Sequence, residues 1–277
     1  YITISQISID YFLKMKNLFL LTFFLFSISL VNGQPTFSKN VIDGSYGGHM
    51  LSELVDIDSD GDTDIITSEY DRLVLYENDG NEAFNEILIH ETEGFGGYYS
   101  VSSIKTIDID NDGDIDILAG TGSDSYPINI FQNNGNNSAF IKIDIDSNHS
   151  TKCLDASDID KDGDIDFISV SMDDELKWYQ NNGDLNFTSF IIDNSSSGAS
   201  EAHIVDLNGN GSLDIVAYDY PDNTITWYEN DGSENFSNIT LITFDFTPSS
   251  DEKLELIDLD LDGDIDLITA SPTDNKV

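Results

Sequence analysis

Acidic side chains alternate through residues 158–166, DIDKDGDID, and the same spacing returns in DIDSDGDTD (56–64), DIDNDGDID (108–116), DLNGNGSLD (206–214) and DLDLDGDID (258–266). With the nine positions numbered from one, positions 1, 3, 5 and 9 carry oxygen-bearing side chains in every copy. They are Asp56, Asp58, Asp60 and Asp64, then Asp108, Asp110, Asp112 and Asp116, then Asp158, Asp160, Asp162 and Asp166. The fourth copy has Asp206, Asn208, Asn210 and Asp214, and the fifth Asp258, Asp260, Asp262 and Asp266. Carboxylates this close repel one another unless a cation neutralises them. Ca²⁺ is a hard ion that takes six to eight oxygens at about 2.3–2.6 Å. A loop bent at position 6, which is Gly61, Gly113, Gly163, Gly211 or Gly263, can wrap its side chains around such an ion. Position 7 (Asp62, Asp114, Asp164, Ser212, Asp264) then contributes its backbone carbonyl, and position 9 closes the shell directly or through water. The spacing predicts one Ca²⁺ per loop, up to five. The fourth loop is expected to be the weakest, because Asn208 and Asn210 replace two charges, and the position-7 side chains are expected to face solvent.

An EF-hand shares these nine positions but needs Glu at position 12 and flanking helices. Position 12 here is Thr67, Ala119, Ser169, Ala217 or Thr269, and the flanks are strand-like. Each loop follows a mixed apolar segment such as VSSIKTI and leads at once into an apolar run such as ILAG or FISVS. An aromatic strand comes next, ending in a turn: LYENDG (75–80), IFQNNG (130–135), WYQNNG (178–183) and WYENDG (227–232). Asn and Gly tolerate the positive φ of tight hairpins, so these triplets predict hairpin turns. A Phe and a further apolar segment close each unit. Four short strands in a unit of roughly 50 residues are a β-propeller blade. The reading is all-β: four complete blades (about 36–92, 93–146, 147–193 and 194–246) and a partial fifth over 247–277. Trp178-Tyr179 and Trp227-Tyr228 recur at one repeat position and are expected to pack in the core rather than stack on sugar.

The chain has 277 residues and a formal net charge of −42, which argues against nucleic acid or an anionic membrane as partner. Met15-Lys16-Asn17 precedes the apolar run 18–31, with Val31 and Gly33 at small-residue positions, so residues 15–33 read as a secretory signal peptide. Residues 1–14 read as a leader upstream of the start, residues 34–277 as the mature chain, and no other stretch is apolar enough to span a bilayer. A single cysteine, Cys153, excludes an internal disulfide and is expected to pack as a small apolar residue. His49, His90, His149 and His203 lie in unrelated contexts and read as surface or loop residues.

The loop-plus-strand unit resembles the FG-GAP/VCBS-type repeat of the integrin-α-like calcium-binding β-propeller, in its secreted bacterial form. Phe95-Gly96 stands ahead of the second loop, and Gly120-Thr121-Gly122 stands where the family has Gly-Ala-Pro. Tyr46-Gly47-Gly48 replaces Phe-Gly in the first blade, and the fifth ends Ala270-Ser271-Pro272. The resemblance covers about residues 36–277 and implies calcium in the acidic loops. It also implies that the chain is a fragment of a seven-bladed propeller, monomeric within a larger protein. It further implies a secreted, non-catalytic module at the cell surface that mediates adhesion by binding an extracellular protein or a glycan. The alternative is part of a polysaccharide lyase or hydrolase. A lyase needs a base and a cation clamp; of 11 Lys and Arg, Lys14 and Lys16 precede residue 34, and Arg72 is the sole arginine. No nucleophile motif, P-loop or HExxH is present.

Overall fold

The computed structural model describes residue 42 and residues 49–270, apart from 70–71, 82, 92–100, 122–127, 136–138, 148, 172–174, 196–198, 220–221 and 245–252. The signal-like segment 15–33, Phe95-Gly96, Tyr46-Gly47-Gly48, Gly122 and Ser271-Pro272 lie outside the described residues. The described residues belong to the compact unit Ile42–Val277.

The first blade comprises β1 (His49–Val55), β2 (Asp64–Glu69), β3 (Arg72–Asn78) and β4 (Phe84–Glu91). The second comprises β5 (Val101–Ile107), β6 (Asp116–Thr121), β7 (Ile128–Asn133) and β8 (Phe140–Asp146). The third holds β9 (Thr151–Ser157), β10 (Asp166–Ser171), β11 (Leu176–Asn181) and β12 (Phe187–Asp193). The fourth holds β13 (Ala199–Val205), β14 (Asp214–Asp219), β15 (Thr224–Asn230) and β16 (Phe236–Thr243). In the fifth, β17 (Lys253–Ile257) pairs with β18 (Asp266–Ala270). Each blade is an antiparallel meander in chain order, and every acidic loop joins a first strand to a second. No helix long and apolar enough to cross a membrane occurs among the described residues.

The core lies between blades. Period-two alternation sends successive side chains of a strand to opposite faces, and the second strands of the first four blades are buried on both. On β6, Ile117 and Ala119 join Ile57, Ile66, Leu73 and Leu75 of the first blade. Leu118 turns the other way, to Leu154, Phe167 and Tyr179 of the third. Trp178 packs with Ile215, Ala217 and Tyr228 of the fourth blade, and Leu254 of the fifth with Val216, Tyr218 and Ile225. Trp178, Tyr179 and Tyr228 are buried and Trp227 packs against the last of these clusters, so both aromatic pairs are core residues. Cys153 is half-buried against the cluster between the third and fourth blades. One histidine differs from expectation: His149 is buried, its Nε2 3.0 Å from Ser169 Oγ, whereas His90 and His203 stand partly exposed on strands. Gly120 is explained by proximity, since a Cβ there would lie 2.6 Å from Thr151 of the next blade.

Neighbouring blades also meet along their first strands. Leu154 N donates to Ser103 Oγ (2.9 Å), Ile204 N to Asp155 Oδ2 (2.9 Å) and Leu254 N to Glu201 Oε2 (2.8 Å). Three residues before each loop stand Glu53, Lys105, Asp155, His203 and Glu255. Lys105 Nζ lies 2.8 Å from Asp155 Oδ1 and is also attracted by Glu53. His203 lies 3.9 Å from Asp155 and 3.8 Å from Glu201. The signs therefore alternate along the row once His203 is protonated. Burial works against that proton, but Glu201, Asp155 and Glu255 outweigh it and raise the pKa of His203. A group raised on folding contributes stability below its unfolded pKa and loses that contribution as pH rises through its folded pKa. His203→Gln is therefore expected to lower the melting temperature more at pH 6 than at pH 8.5, read by circular dichroism at one calcium concentration.

Candidate metal centre

Each acidic loop is built by its own hydrogen bonds. In the first, Asp56 Oδ1 accepts the Asp60 amide (3.1 Å) and Oδ2 the Gly61 amide (3.1 Å). Asp58 Oδ1 accepts the Asp60 amide (3.2 Å), and Asp60 Oδ1 accepts the Asp62 amide (2.9 Å). The second and fifth loops repeat this set, and the fourth repeats it with Asn208 and Asn210 as acceptors. Position 6 glycine takes φ between 88° and 100°. Position 4 is also left-handed, with φ from 60° to 67°, although it is Ser59, Asn111, Lys161, Gly209 or Leu261.

Position 9 anchors the loop. Asp64, Asp116, Asp166 and Asp214 are fully buried. In each, Oδ2 accepts the amide of position 2: Ile57, Ile109, Ile159 and Leu207, at 2.9–3.2 Å. Oδ1 accepts the amide of the Asn that ends the third strand: Asn78, Asn133, Asn181 and Asn230, at 2.7–2.8 Å. That Asn does two further things. Its Nδ2 donates to the position-8 carbonyl of Thr63, Ile115, Ile165 or Leu213. Its Oδ1 accepts the amide of Gly80, Gly135, Gly183 or Gly232. The triplet Asn thus closes an Asx turn at a strand end, and only the Gly takes positive φ. The position-7 side chains are half-buried in the first four loops rather than free in solvent, and they lie against the same glycines. A Cβ on Gly80 would collide with Asp62 Oδ2, and one on Gly135 would meet Asp114 Oδ2 at 2.7 Å.

The loops bring carboxylate oxygens of positions 1, 3 and 9 within 4.8 Å of one another: Asp56, Asp58 and Asp64; Asp108, Asp110 and Asp116; Asp158, Asp160 and Asp166. In the fifth loop the converging set is Asp258, Asp260 and Asp262, and Asp266 stands outside it. In the first three loops position 5 (Asp60, Asp112, Asp162) stands outside the converging set. The fourth loop offers Asp206, Asp214 and two carboxamides. The residues fit a cation by a further observation: Asp158 Oδ1 is buried with no hydrogen-bond partner. Burial is the largest cause pushing Asp116 and Asp166 up to about 7; Asp110 and Asp112, or Asp160, add to it, and the amide bonds oppose it. Asp58 is raised by burial first, then by Asp60, Asp64 and Glu77. No described histidine joins these clusters.

Successive four-stranded meanders packed face to face, each with an acidic first connection, define a β-propeller of the acidic-loop type. The family model of the FG-GAP-like repeat matches residues 56–119, 108–169, 158–217 and 206–269, and the chain belongs to this family. Comparison with curated protein sequences finds no match. Among solved structures, a lectin of Agrocybe aegerita that specifically recognises non-reducing terminal N-acetylglucosamine is similar at TM-score 0.57 and 21% identity. The match covers 79% of this chain and 60% of the lectin chain, so this chain spans under two thirds of its relative. BBS1N in its complex with ARL6DN matches at TM-score 0.48 and 11% identity, over 71% of this chain and 54% of that one.

The strand-end Asn is testable apart from any ion. Asn181 is buried and its side chain makes two bonds that recur from blade to blade, to Ile165 O (3.2 Å) and from Gly183 N (3.2 Å). At about 1 kcal/mol net per bond, Asn181→Ala is expected to cost roughly 2 kcal/mol in urea unfolding. Asn134→Ala, at an exposed turn position, should change stability by less than about 0.5 kcal/mol.

Proposed function

We propose that the protein is a secreted, calcium-stabilised β-propeller that serves as a non-catalytic binding module at the cell surface, with a glycan or an extracellular protein as ligand. The observation that carries the calcium reading is the convergence of position 1, 3 and 9 carboxylates in three successive loops, with a buried oxygen of Asp158 left without a donor. Asp or Asn at positions 1, 3, 5 and 9 would hold the ion, with the position-7 carbonyl. The bound ion supplies charge neutralisation and a rigid hub for the loop. Five ions would bring the formal net charge from −42 to −32. The segment 15–33 supports export, and millimolar extracellular calcium suits loops of about 10⁻⁴–10⁻³ M affinity. The similar lectin makes glycans the first ligands to try, beginning with terminal N-acetylglucosamine.

The deciding experiment is a thermal melt of residues 34–277 in EGTA and at rising CaCl₂. With on the order of 1 kcal/mol per occupied site, five sites are expected to raise the midpoint by roughly 10 °C. Asp158→Ala/Asp160→Ala should blunt that rise by about one site's share, and a flat response from a folded chain would overturn the assignment. Binding on a glycan array that disappears in EGTA would support the ligand reading; new reducing ends or unsaturated uronate from a polysaccharide panel would contradict it.

Proton competition gives an independent check. A carboxyl with a folded-state pKa of about 7, as at Asp116 and Asp166, must lose its proton before it can ligate. Calcium affinity of the second and third loops is expected to be constant above about pH 8 and to fall up to tenfold per unit below about 7, as measured by calorimetric titration.

A further inference from the structure

The residue just ahead of the strand-end Asn is Glu77, Gln132, Gln180 and Glu229 in successive blades. Each is half-buried. In the second and third blades its side chain reaches loop position 3 with the amide donating: Gln132 Nε2 to Asp110 Oδ2, and Gln180 Nε2 to Asp160 Oδ2 (2.5 Å). In the fourth blade the pair is exchanged, and Asn208 Nδ2 donates to Glu229 Oε1 (3.0 Å). That bond leaves Asn208 Oδ1 on the loop side, where it accepts the Asn210 amide (3.0 Å). Three blades therefore hold one carboxylate and one carboxamide across this contact. The first blade departs: Glu77 holds the same third-strand position and Asp58 the same loop position, so both members are carboxylates.

We propose that this third-strand position is part of each ion site and sets its strength. Glu77 gives the first loop one more carboxylate than the second or third and makes it the tightest site of the four complete blades. Glu229 supplies the fourth loop with the charge that Asn208 lacks, so that site is stronger than its loop sequence alone indicates. Affinity in loops of this kind follows the number of ligand charges, and a carboxylate beside position 3 raises that number whether it meets the ion directly or through water. A carboxamide there instead spends its N–H on the position-3 carboxylate and holds it in place. The proposal rests on the calcium reading above.

The test is calorimetric titration of CaCl₂ into EGTA-stripped chain at pH 7.5, with circular dichroism in calcium to check folding. Glu77→Gln is expected to weaken the tightest site about tenfold, Glu229→Gln to weaken the fourth by a similar factor, and Gln180→Glu to tighten the third. Gln180→Glu is a gain that misfolding cannot imitate. Asn208→Asp/Glu229→Gln should return the wild-type isotherm, because it restores the pair found in the third blade. Isotherms of Glu77→Gln, Glu229→Gln and Gln180→Glu that all overlay a calcium-binding wild type would overturn this proposal alone. A wild type that takes up no calcium at millimolar concentration would overturn the calcium reading as well.

Discussion

The structure depends on one buried carboxylate per blade. Asp64, Asp116, Asp166 and Asp214 have no exposed surface, and each accepts one amide from its own loop and one from the third strand. The side chain is therefore a staple between a connection and a strand that is not its sequence neighbour. Burying a carboxylate is costly unless its lone pairs are satisfied. Two amide bonds meet part of that need, and the rise at Asp116 and Asp166 shows that part remains. A cation held by the same loop would meet the remainder, so folding of the loop and ion binding draw on one set of oxygens.

The same economy governs the blades. Because second strands are apolar on both faces, no blade has a core of its own; each cluster is shared by consecutive repeats. The loop enters this core through position 2, where Ile57, Ile109 and Ile159 are buried. Position 2 of the fifth loop, Leu259, is exposed. The acidic loop is thus a structural connection fastened at both ends, to the interblade core and to the third-strand hairpin.

Much of this is legible in the sequence because the chain repeats. Five aligned copies separate the ligand positions from their surroundings, and the apolar and aromatic runs between them mark the strands. Position 4 is not legible: Ser59, Lys161 and Leu261 have nothing in common that signals a left-handed backbone, and only the bend imposed by the flanking side-chain-to-amide bonds puts them there. The strand-end Asn stands out in the sequence for the wrong property. Its value lies in a carboxamide that donates and accepts at once, which the turn propensity of Asn-Asp-Gly obscures. The position-7 side chains read as solvent-facing because a carbonyl is expected to do the binding there, whereas a bare glycine on the neighbouring hairpin opens room beside them. The partner of position 3 lies some twenty residues away, and only pairing β7 or β11 beside its loop reveals it.

Near-identical repeats carry a hazard of their own, since any blade edge offers its neighbours a plausible but incorrect mate. The row Glu53, Lys105, Asp155, His203, Glu255 counters a slip of one repeat through sign. Docked in order, each charge meets its opposite; with one repeat skipped, Glu53 would face Asp155 and Lys105 would face protonated His203. Like charges set opposite each other across strands destabilise the pairing. The charge sequence along the first strands therefore penalises docking one repeat out of step.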